Sequence, residues 1–380
     1  MVAHAYLSAS NSKQWLMCTP SIKLSEGIPN QESDFAREGT LAHEFSEAIL
    51  MKNLGIIKKQ KYNAIVKKIK ANELYAADMD DYVERYVDIV MEKIGEANSP
   101  EAVHKVEQRL DFSAWVPRGF GTGDAVIIDN GIIEIIDLKY GKGVPVSAIG
   151  NTQMRLYALG AINEFGFFYD IEKVKMTIVQ PRLDSVSTDE ISAEELLKWA
   201  DEYLKPRAEL AIKGEGEFCA GDHCKFCRAN AICRARAEKN MEIAKYEFAN
   251  PPTLDNLEIS HILDVASDFS KWIKDVESWA LQQALQGEIY PGYKVVEGRS
   301  NRKWKDEDEV GKVLLDNGFQ ENMIYTKKLD GIGKIEKAIG KKKTSELLGD
   351  LIVKPQGSPT LVVESDKRPV YNSAELDFRE

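Results

Sequence analysis

One stretch decides the fold of this chain: residues 122–139 read TGDAVIIDNGIIEIIDLK. Two runs rich in valine and isoleucine flank the dipeptide Asn130-Gly131, a pattern typical of a hairpin closed by a two-residue type I′ turn. Such a turn fixes the register of the two strands and sets Asp124 opposite Asp137. The stretch therefore predicts an antiparallel hairpin that is apolar on both faces and covered on both sides.

This hairpin would bring two negative charges together. Directly opposed side chains lie about 4.5–5.5 Å apart at Cβ, and like charges there are destabilising unless something neutralises them. Two carboxylates of this kind can hold Mg²⁺ or Mn²⁺, and strand alternation puts Lys139 on the face of Asp137. We therefore predict a metal-dependent catalytic site in which the metal activates water and Lys139 orients it or offsets developing charge. The alternative is a solvated Asp-x-Lys pair, which is common on strands.

The segments around the hairpin predict an α/β core. A helix over residues 35–53 carries His43, and a helix over residues 148–164 places Gln153 and Tyr157 one turn apart on a shared face. Further strands are predicted at residues 103–110 and 174–180, and a further helix at residues 193–213. The fold class is thus α/β, with the hairpin central in the sheet and covered on both faces.

Composition bounds the protein class. The 380 residues are 43% hydrophobic and 29% charged, and the net charge is −11, which at first argues against a polyanionic partner. Charge is segregated, however, because residues 52–70 hold seven lysines and no acid, whereas residues 73–101 hold nine acids. No apolar run approaches the roughly 18 residues of a membrane span, and no secretory pattern begins the chain, so we expect a cytoplasmic protein without a membrane partner.

Three segments are expected. Residues 1–245 form the α/β core, residues 246–355 form a smaller α+β accessory region that follows Pro251 and Pro252, and residues 356–380 form an extended tail. The accessory region includes a strand-like segment at residues 293–296. Its basic aromatic run, residues 299–305 with Trp304, and the lysines at 341–343 are candidates for phosphate contact, with solvated faces as the alternative.

The five cysteines are expected to be reduced thiols that bind metal, because no export signal accompanies them. Four lie between Cys219 and Cys233, and Cys18 stands alone near the N-terminus. On spacing alone, Cys18, Cys224, Cys227 and Cys233 suit structural zinc as well as an iron–sulfur cluster.

The order of four motifs carries a family resemblance. They are Gly39 to Glu44 (GTLAHE), Gly123-Asp124, Ile135 to Lys139 (IIDLK) and Gln153 to Tyr157 (QMRLY). This order resembles the PD-(D/E)XK nuclease superfamily, and within it the RecB-type branch. The resemblance implies a restriction-endonuclease-like core, with a central mixed sheet flanked by helices. The resemblance implies that His43, Asp124 and Asp137 bind metal with the Leu138 carbonyl, that Lys139 is the catalytic lysine, and that Gln153 and Tyr157 position DNA and that lysine.

The cysteine set is similar to the [4Fe-4S] staple of AddB-like nucleases and CRISPR-adaptation exonucleases, which favours iron over zinc and leaves Cys219 spare. The whole chain also resembles phage-associated proteins. Together these resemblances imply an exonuclease that acts on DNA ends or single strands in phage recombination or repair, in the cytoplasm of a bacterial host, with recombination or replication proteins as partners. A non-catalytic DNA-binding or scaffold protein, and a redox protein, are the alternatives. Cleavage polarity, strandedness and oligomeric state stay open.

Overall fold

A computed structural model describes residues 5–29, 33–242, 254–296, 307–316 and 340–348, with residues 332, 333, 336, 351 and 352. Its backbone contacts divide the chain into two compact units, Met1–Val295 and Val296–Glu380. The predicted boundary at 245/246 and the predicted tail at 356–380 lie outside the described residues.

A five-stranded mixed sheet forms the centre of the first unit. The strands lie in chain order, and every neighbouring pair is antiparallel except β3 and β4, which are parallel and connected through a helix. The predicted α/β class, with a mixed sheet flanked by helices, is therefore confirmed. The strands are β1 (Val103–Asp111), β2 (Phe120–Asp129), β3 (Ile132–Leu138), β4 (Lys173–Gln180) and β5 (Ser185–Ser192).

The hairpin between β2 and β3 has the predicted turn and register. Asn130 and Gly131 both have positive φ, 47° and 73°, as a type I′ turn requires. Asp129 pairs with Ile132, and the ladder runs in register to its last pair, Ala125 with Ile136. Asp124, which precedes Ala125 on β2, and Asp137, which follows Ile136 on β3, occupy the next position along the ladder.

The two faces of the hairpin are covered by different cores, because successive side chains in a strand point to opposite faces. Val126 and Ile135 belong to a core shared with the helix between β3 and β4, and Ile127 and Ile136 belong to a core shared with the three helices over residues 34–96. The hairpin is therefore central, as its two apolar faces predicted.

The helices of the first unit mostly follow the predicted pattern. The predicted helix over residues 148–164 begins later, at Thr152, because the side chain of Asn151 accepts hydrogen bonds from the amides of Gln153 and Met154 and caps it. The helices are α1 (Ser12–Met17), α2 (Ser21–Leu24), α3 (Asp34–Asn53), α4 (Lys59–Lys70), α5 (Asp78–Glu96), α6 (Thr152–Phe165), α7 (Ala193–Trp199), α8 (Lys205–Lys213), α9 (Arg234–Met241) and α10 (Asn256–Leu285).

The helix predicted over residues 193–213 has the predicted bounds and contains a π-helical segment, Ala200–Leu204, between α7 and α8. Two other segments differ from the sequence analysis. Strand β5 was missed because it is mostly polar and alternates between half-buried and exposed positions, so it lacks an apolar run. The strand predicted at residues 293–296 is irregular backbone.

In the second unit, the described residues include α11 (Glu307–Asp316) and α12 (Lys341–Leu348). The lysines at 341–343 begin α12, and the predicted basic aromatic run at 299–305 lies outside the described residues. Within the part of the chain that the structure describes, no helix is both long enough and apolar enough to cross a membrane.

Candidate metal and active site

Carboxylates on three neighbouring strands meet where the hairpin ladder ends. Asp124 on β2 lies opposite Glu107 on β1, because the residues on either side of Glu107 pair with Ala125 and Gly123. On the other side, continuation of the β2–β3 register puts Asp137 opposite Asp124. Asp124 and Asp137 are buried, with 8% and 2% of their surface exposed. The site thus begins as a row of three acids across the sheet.

Helix α3 adds His43 to this row. Leu41, Phe45 and Ile49 of α3 pack into the core on one face of the sheet, and this packing holds His43 beside the strands. The Nδ1 atom of His43 lies 3.1 Å from Oδ1 of Asp124. One ligand atom each from His43, Glu107 and Asp124 lies within 4.8 Å of the other two. This imidazole and two carboxylates can together surround one divalent ion.

Glu107 was not predicted from the sequence. It has a positive φ of 50°, in the left-handed region that a non-glycine residue enters at a cost of about 1–3 kcal/mol, and such strain is concentrated at functional sites. The Asn-Gly turn fixes only the β2–β3 register, and the register of β1 depends on a longer connection. Pairing Val106 with Ala125 would have shown that Glu107 faces Asp124.

His43 and Asp124 form an ion pair, in which each side chain stabilises the charge of the other. Burial opposes a charge on the imidazole, but Asp124 and Asp137 outweigh it and raise the pKa of His43 to about 9. Burial likewise opposes the charge of Asp124, yet His43, the Leu138 amide and Lys139 hold the pKa of Asp124 below its ordinary value. The pair is therefore ionised at neutral pH.

The other two carboxyl groups of the row hold protons more tightly than usual. Burial, followed by the negative charges of Asp124 and Glu47, raises the pKa of Glu107 to about 8. Burial also raises the pKa of Asp137; Lys139 opposes this rise and Asp124 adds to it. Neighbouring acids that resist ionisation together are what a site for a cation produces when no cation is bound.

Lys139 is fixed on the other side of Asp137. Its Nζ lies 2.7 Å from Oδ2 of Asp137 and donates a hydrogen bond of 3.1 Å to Oε1 of Gln153. Nε2 of Gln153 lies 3.4 Å from Oδ1 of Asp137 and donates at 3.1 Å to the hydroxyl of Tyr157. Both α6 residues predicted for the site therefore contact its acid–lysine pair or each other.

Tyr157 is buried under a glycine of β2. A Cβ at Gly121 would lie only 2.6 Å from Cε1 of Tyr157, so the ring occupies the space that a side chain would need. Leu138 enters the site through its amide, which donates a hydrogen bond of 2.7 Å to Oδ2 of Asp124. The metal contact predicted for the Leu138 carbonyl stays a prediction.

The cysteines form a second candidate site. All five line one small pocket between the N-terminal segment and residues 218–236, and Cys18, Cys224 and Cys227 are buried. Burial raises the pKa of Cys227, and the hydroxyl of Ser25 lies 3.7 Å from its Sγ. The buried guanidinium of Arg236 also lines the pocket, and its Nη1 donates at 3.0 Å to Asp275 of α10. Cysteines about two hundred residues apart in sequence are thus brought together.

Comparisons with known proteins give a family but no activity. A family model described as "Protein of unknown function (DUF2800)" matches residues 4–369. Among solved structures, the chain is similar to one titled "Crystal structure of SSO0001", with 17% sequence identity and a TM-score of 0.23. That alignment covers 59% of this chain and 96% of the other. A likeness of this size carries no argument about fold or function.

Proposed function

This chain belongs to the DUF2800 family, and we propose that it is a metal-dependent deoxyribonuclease that hydrolyses phosphodiester bonds at the site built by His43, Asp124, Asp137 and Lys139. One observation carries the proposal. A His–Glu–Asp group suited to a divalent ion adjoins a buried carboxylate that is ion-paired with a lysine held by Gln153. The four motifs that resemble the RecB-type branch of the PD-(D/E)XK superfamily supply all of these residues except Glu107, and we propose that the chain belongs to that branch.

The residues present fit a divalent ion. Asp124 and Glu107 offer the hard oxygen ligands that Mg²⁺ and Mn²⁺ prefer, and an imidazole such as His43 is better tolerated by Mn²⁺. Asp137, opposite Asp124, can complete the set with one oxygen while the other stays with Lys139. A bound metal would acidify an attacking water and stabilise negative charge on a phosphoryl oxygen.

The chain's own groups prepare the site for that chemistry. Lys139 projects from the end of β3, and the carboxylate of Asp137 and the amide of Gln153 hold its ammonium group in place. A fixed cation can orient the attacking water and offset the negative charge that develops on the phosphate. Tyr157 fixes the amide of Gln153 in turn, so the lysine is positioned by two successive contacts from α6.

The substrate and its context rest on the family resemblance. We propose an exonuclease that acts on DNA ends or single strands in phage recombination or repair, with Mg²⁺ or Mn²⁺ as its cofactor. Asp124, Asp137, Lys139 and the accessory pair Gln153 and Tyr157 are all present, which favours a catalytic protein over a scaffold that only binds DNA.

We also propose that Cys18, Cys224, Cys227 and Cys233 hold a [4Fe-4S] cluster, with zinc as the alternative. The shared pocket supports ligation by these thiols, because they line one small space, which Cys219 also lines. Their role would be mechanical: ligation would tie the segment around α1 to the chain that follows α8. Metal analysis and a visible spectrum of anaerobically purified protein distinguish iron from zinc.

The experiment that tests the nuclease assignment uses end-labelled linear, circular and single-stranded DNA with Mg²⁺, with Mn²⁺ or with EDTA. An exonuclease degrades linear DNA in a metal-dependent reaction and spares covalently closed circles. Asp137→Asn and Lys139→Ala should each lower the rate by at least about 100-fold. Lys142→Ala is the matched control, since Lys142 is an exposed loop lysine three positions away. Cleavage by both site variants at the wild-type rate would refute the assignment.

A further inference from the structure

Helix α4 presents a surface of unpaired positive charge. We define the lysine face as the exposed residues Lys58, Lys59, Lys61, Lys67 and Lys68. The opposite side of α4 is fixed by packing, because Tyr62, Ile65, Val66 and Ile69 belong to the core shared with α3 and α5. The lysines are therefore held on the outer side of a helix whose orientation is set by four apolar residues.

This face carries no compensating acid of its own. The residues between Lys52 and Lys70 include no aspartate or glutamate. Among the described residues, none of the five lysines of the face forms an ion pair, whereas Lys70 at the end of the helix pairs with Asp80 at 2.6 Å. In a chain of net charge −11, this is a local concentration of positive charge that proteins commonly use to hold polyanions.

The lysine face lies beside the candidate metal site. Helix α4 packs on α3, which carries His43, and Glu47 follows His43 by one helical turn. The charge of Lys61 acts on Glu47, and the charge of Asp124 acts on the same carboxyl group. The carboxyl group of Glu47, one turn after His43 on α3, thus feels the charges of both Lys61 on α4 and Asp124 on β2.

A groove of about 600 Å³ runs between α3 and α4, and its lining indicates where a polyanion would lie. Lys68 forms part of the rim, but Glu44 and Glu73 also line the groove, and Arg37 is neutralised by Asp34 and Glu73. Phosphates would be repelled by Glu44 and Glu73 and attracted by the exposed lysines. A DNA strand would thus follow the outer side of α4 and would not enter the groove.

We propose that the lysine face binds the phosphate backbone of a DNA strand and leads that strand to the candidate metal site formed by His43 of α3 and the carboxylates of β1, β2 and β3. The proposal rests on the proposed nuclease function, and it adds the surface that holds the substrate away from the reacting bond. Contacts of this kind are sequence-independent and salt-dependent, because each neutralised phosphate releases condensed counterions.

The test measures DNA binding without cleavage. Fluorescence anisotropy of a labelled single strand in EDTA, over a range of salt concentrations, compares the full chain with Lys61→Gln/Lys67→Gln/Lys68→Gln. Loss of three single-strand phosphate contacts should make the slope of log K against log salt shallower by about 2, and should weaken binding at 0.1 M salt by between tenfold and about 100-fold. The corresponding three-arginine variant, which retains the charge, should bind like the wild type, and the glutamine variant should keep the wild-type Tm and circular dichroism spectrum, which excludes a folding defect.

The matched control carries the same charge change elsewhere. Lys198→Gln/Lys205→Gln/Lys213→Gln alters exposed lysines of α7 and α8, which pack against the other core of the sheet, and should leave affinity and slope unchanged. An unchanged slope in the α4 variant would overturn the proposal even if the protein cleaves DNA. Binding that depends on α4 without any metal-dependent cleavage would instead refute only the nuclease. If the α4 variant lost binding to vesicles of anionic lipid but bound DNA like the wild type, the lysine face would be a membrane-binding surface and the proposal would be overturned.

Discussion

The substitution Glu107→Gln tests whether the third carboxylate of the row is a metal ligand. It preserves the size of the side chain and removes the negative charge that can face the ion. In the protein without metal, Glu107 has a pKa of about 8 and His43 a pKa of about 9. Both groups must lose their protons to bind a metal, since ligands coordinate in their deprotonated forms.

The number of protons released follows from these pKa values. At pH 7 a group with a pKa of about 8 is about nine-tenths protonated, and one with a pKa of about 9 is almost fully protonated. The wild type should therefore release about two protons for each ion bound, and Glu107→Gln about one. The apparent affinity of the wild type should rise as pH increases from 6 and level off above about 9, where both ligands are already deprotonated.

Isothermal titration calorimetry with Mn²⁺ at pH 7 measures this number directly. The observed heat is compared between buffers of different ionisation enthalpy, and the slope gives the protons released per ion. Glu172→Gln is the matched control, because Glu172 is exposed at the start of β4 and should not alter the count. If Glu107→Gln released as many protons as the wild type, Glu107 would not be a ligand and the carboxylate row would lose its metal role.

Three further predictions concern the surroundings of the two candidate sites. Gln153→Ala should lower kcat for DNA cleavage by about 10–100-fold with little change in KM, because it frees the lysine it holds; steady-state kinetics measures this. Gly121→Ala should lower the free energy of unfolding by about 1–3 kcal/mol in urea titrations, since its Cβ would lie 2.6 Å from the buried ring of Tyr157. Cys227→Ser should remove most of the metal proposed for the cysteine pocket and lower Tm, as measured by metal analysis and thermal unfolding. Cys219→Ser should change neither the metal content nor Tm.

Much of the sheet could be predicted from the sequence, because local chemistry determines it. Asn130-Gly131 accepts the positive φ values of a tight turn, and the apolar runs on either side specify two buried faces. One turn of two residues therefore predicted the strand pairing and the convergence of Asp124 and Asp137. The order of the motifs then predicted that His43 on α3 belongs to the site. The distance between His43 and Asp124 could not be predicted, because it depends on how α3 packs on the sheet.

What could not be predicted depends on contacts between distant segments. Glu107 lies opposite Asp124 only once β1 has paired with β2, and its positive φ breaks the regular alternation of a strand. Strand β5 is a polar edge strand whose pairing with β4 gives it its conformation, so its sequence carries little strand signal. The cysteines could be grouped by spacing, but their common pocket depends on how the N-terminal segment packs against residues 218–236.

The end of the β2–β3 ladder explains how a structural hairpin also supplies a candidate metal site. Beyond the pair of Ala125 and Ile136, the amide of Leu138 donates to Oδ2 of Asp124, so a side chain takes the place of a backbone acceptor. That hydrogen bond fixes the carboxylate and leaves Oδ1 facing His43, 3.1 Å away. An unsatisfied buried amide would cost about 1–3 kcal/mol, so the fold itself favours the orientation in which Asp124 can bind an ion. The same residue thus ends the ladder and begins the site.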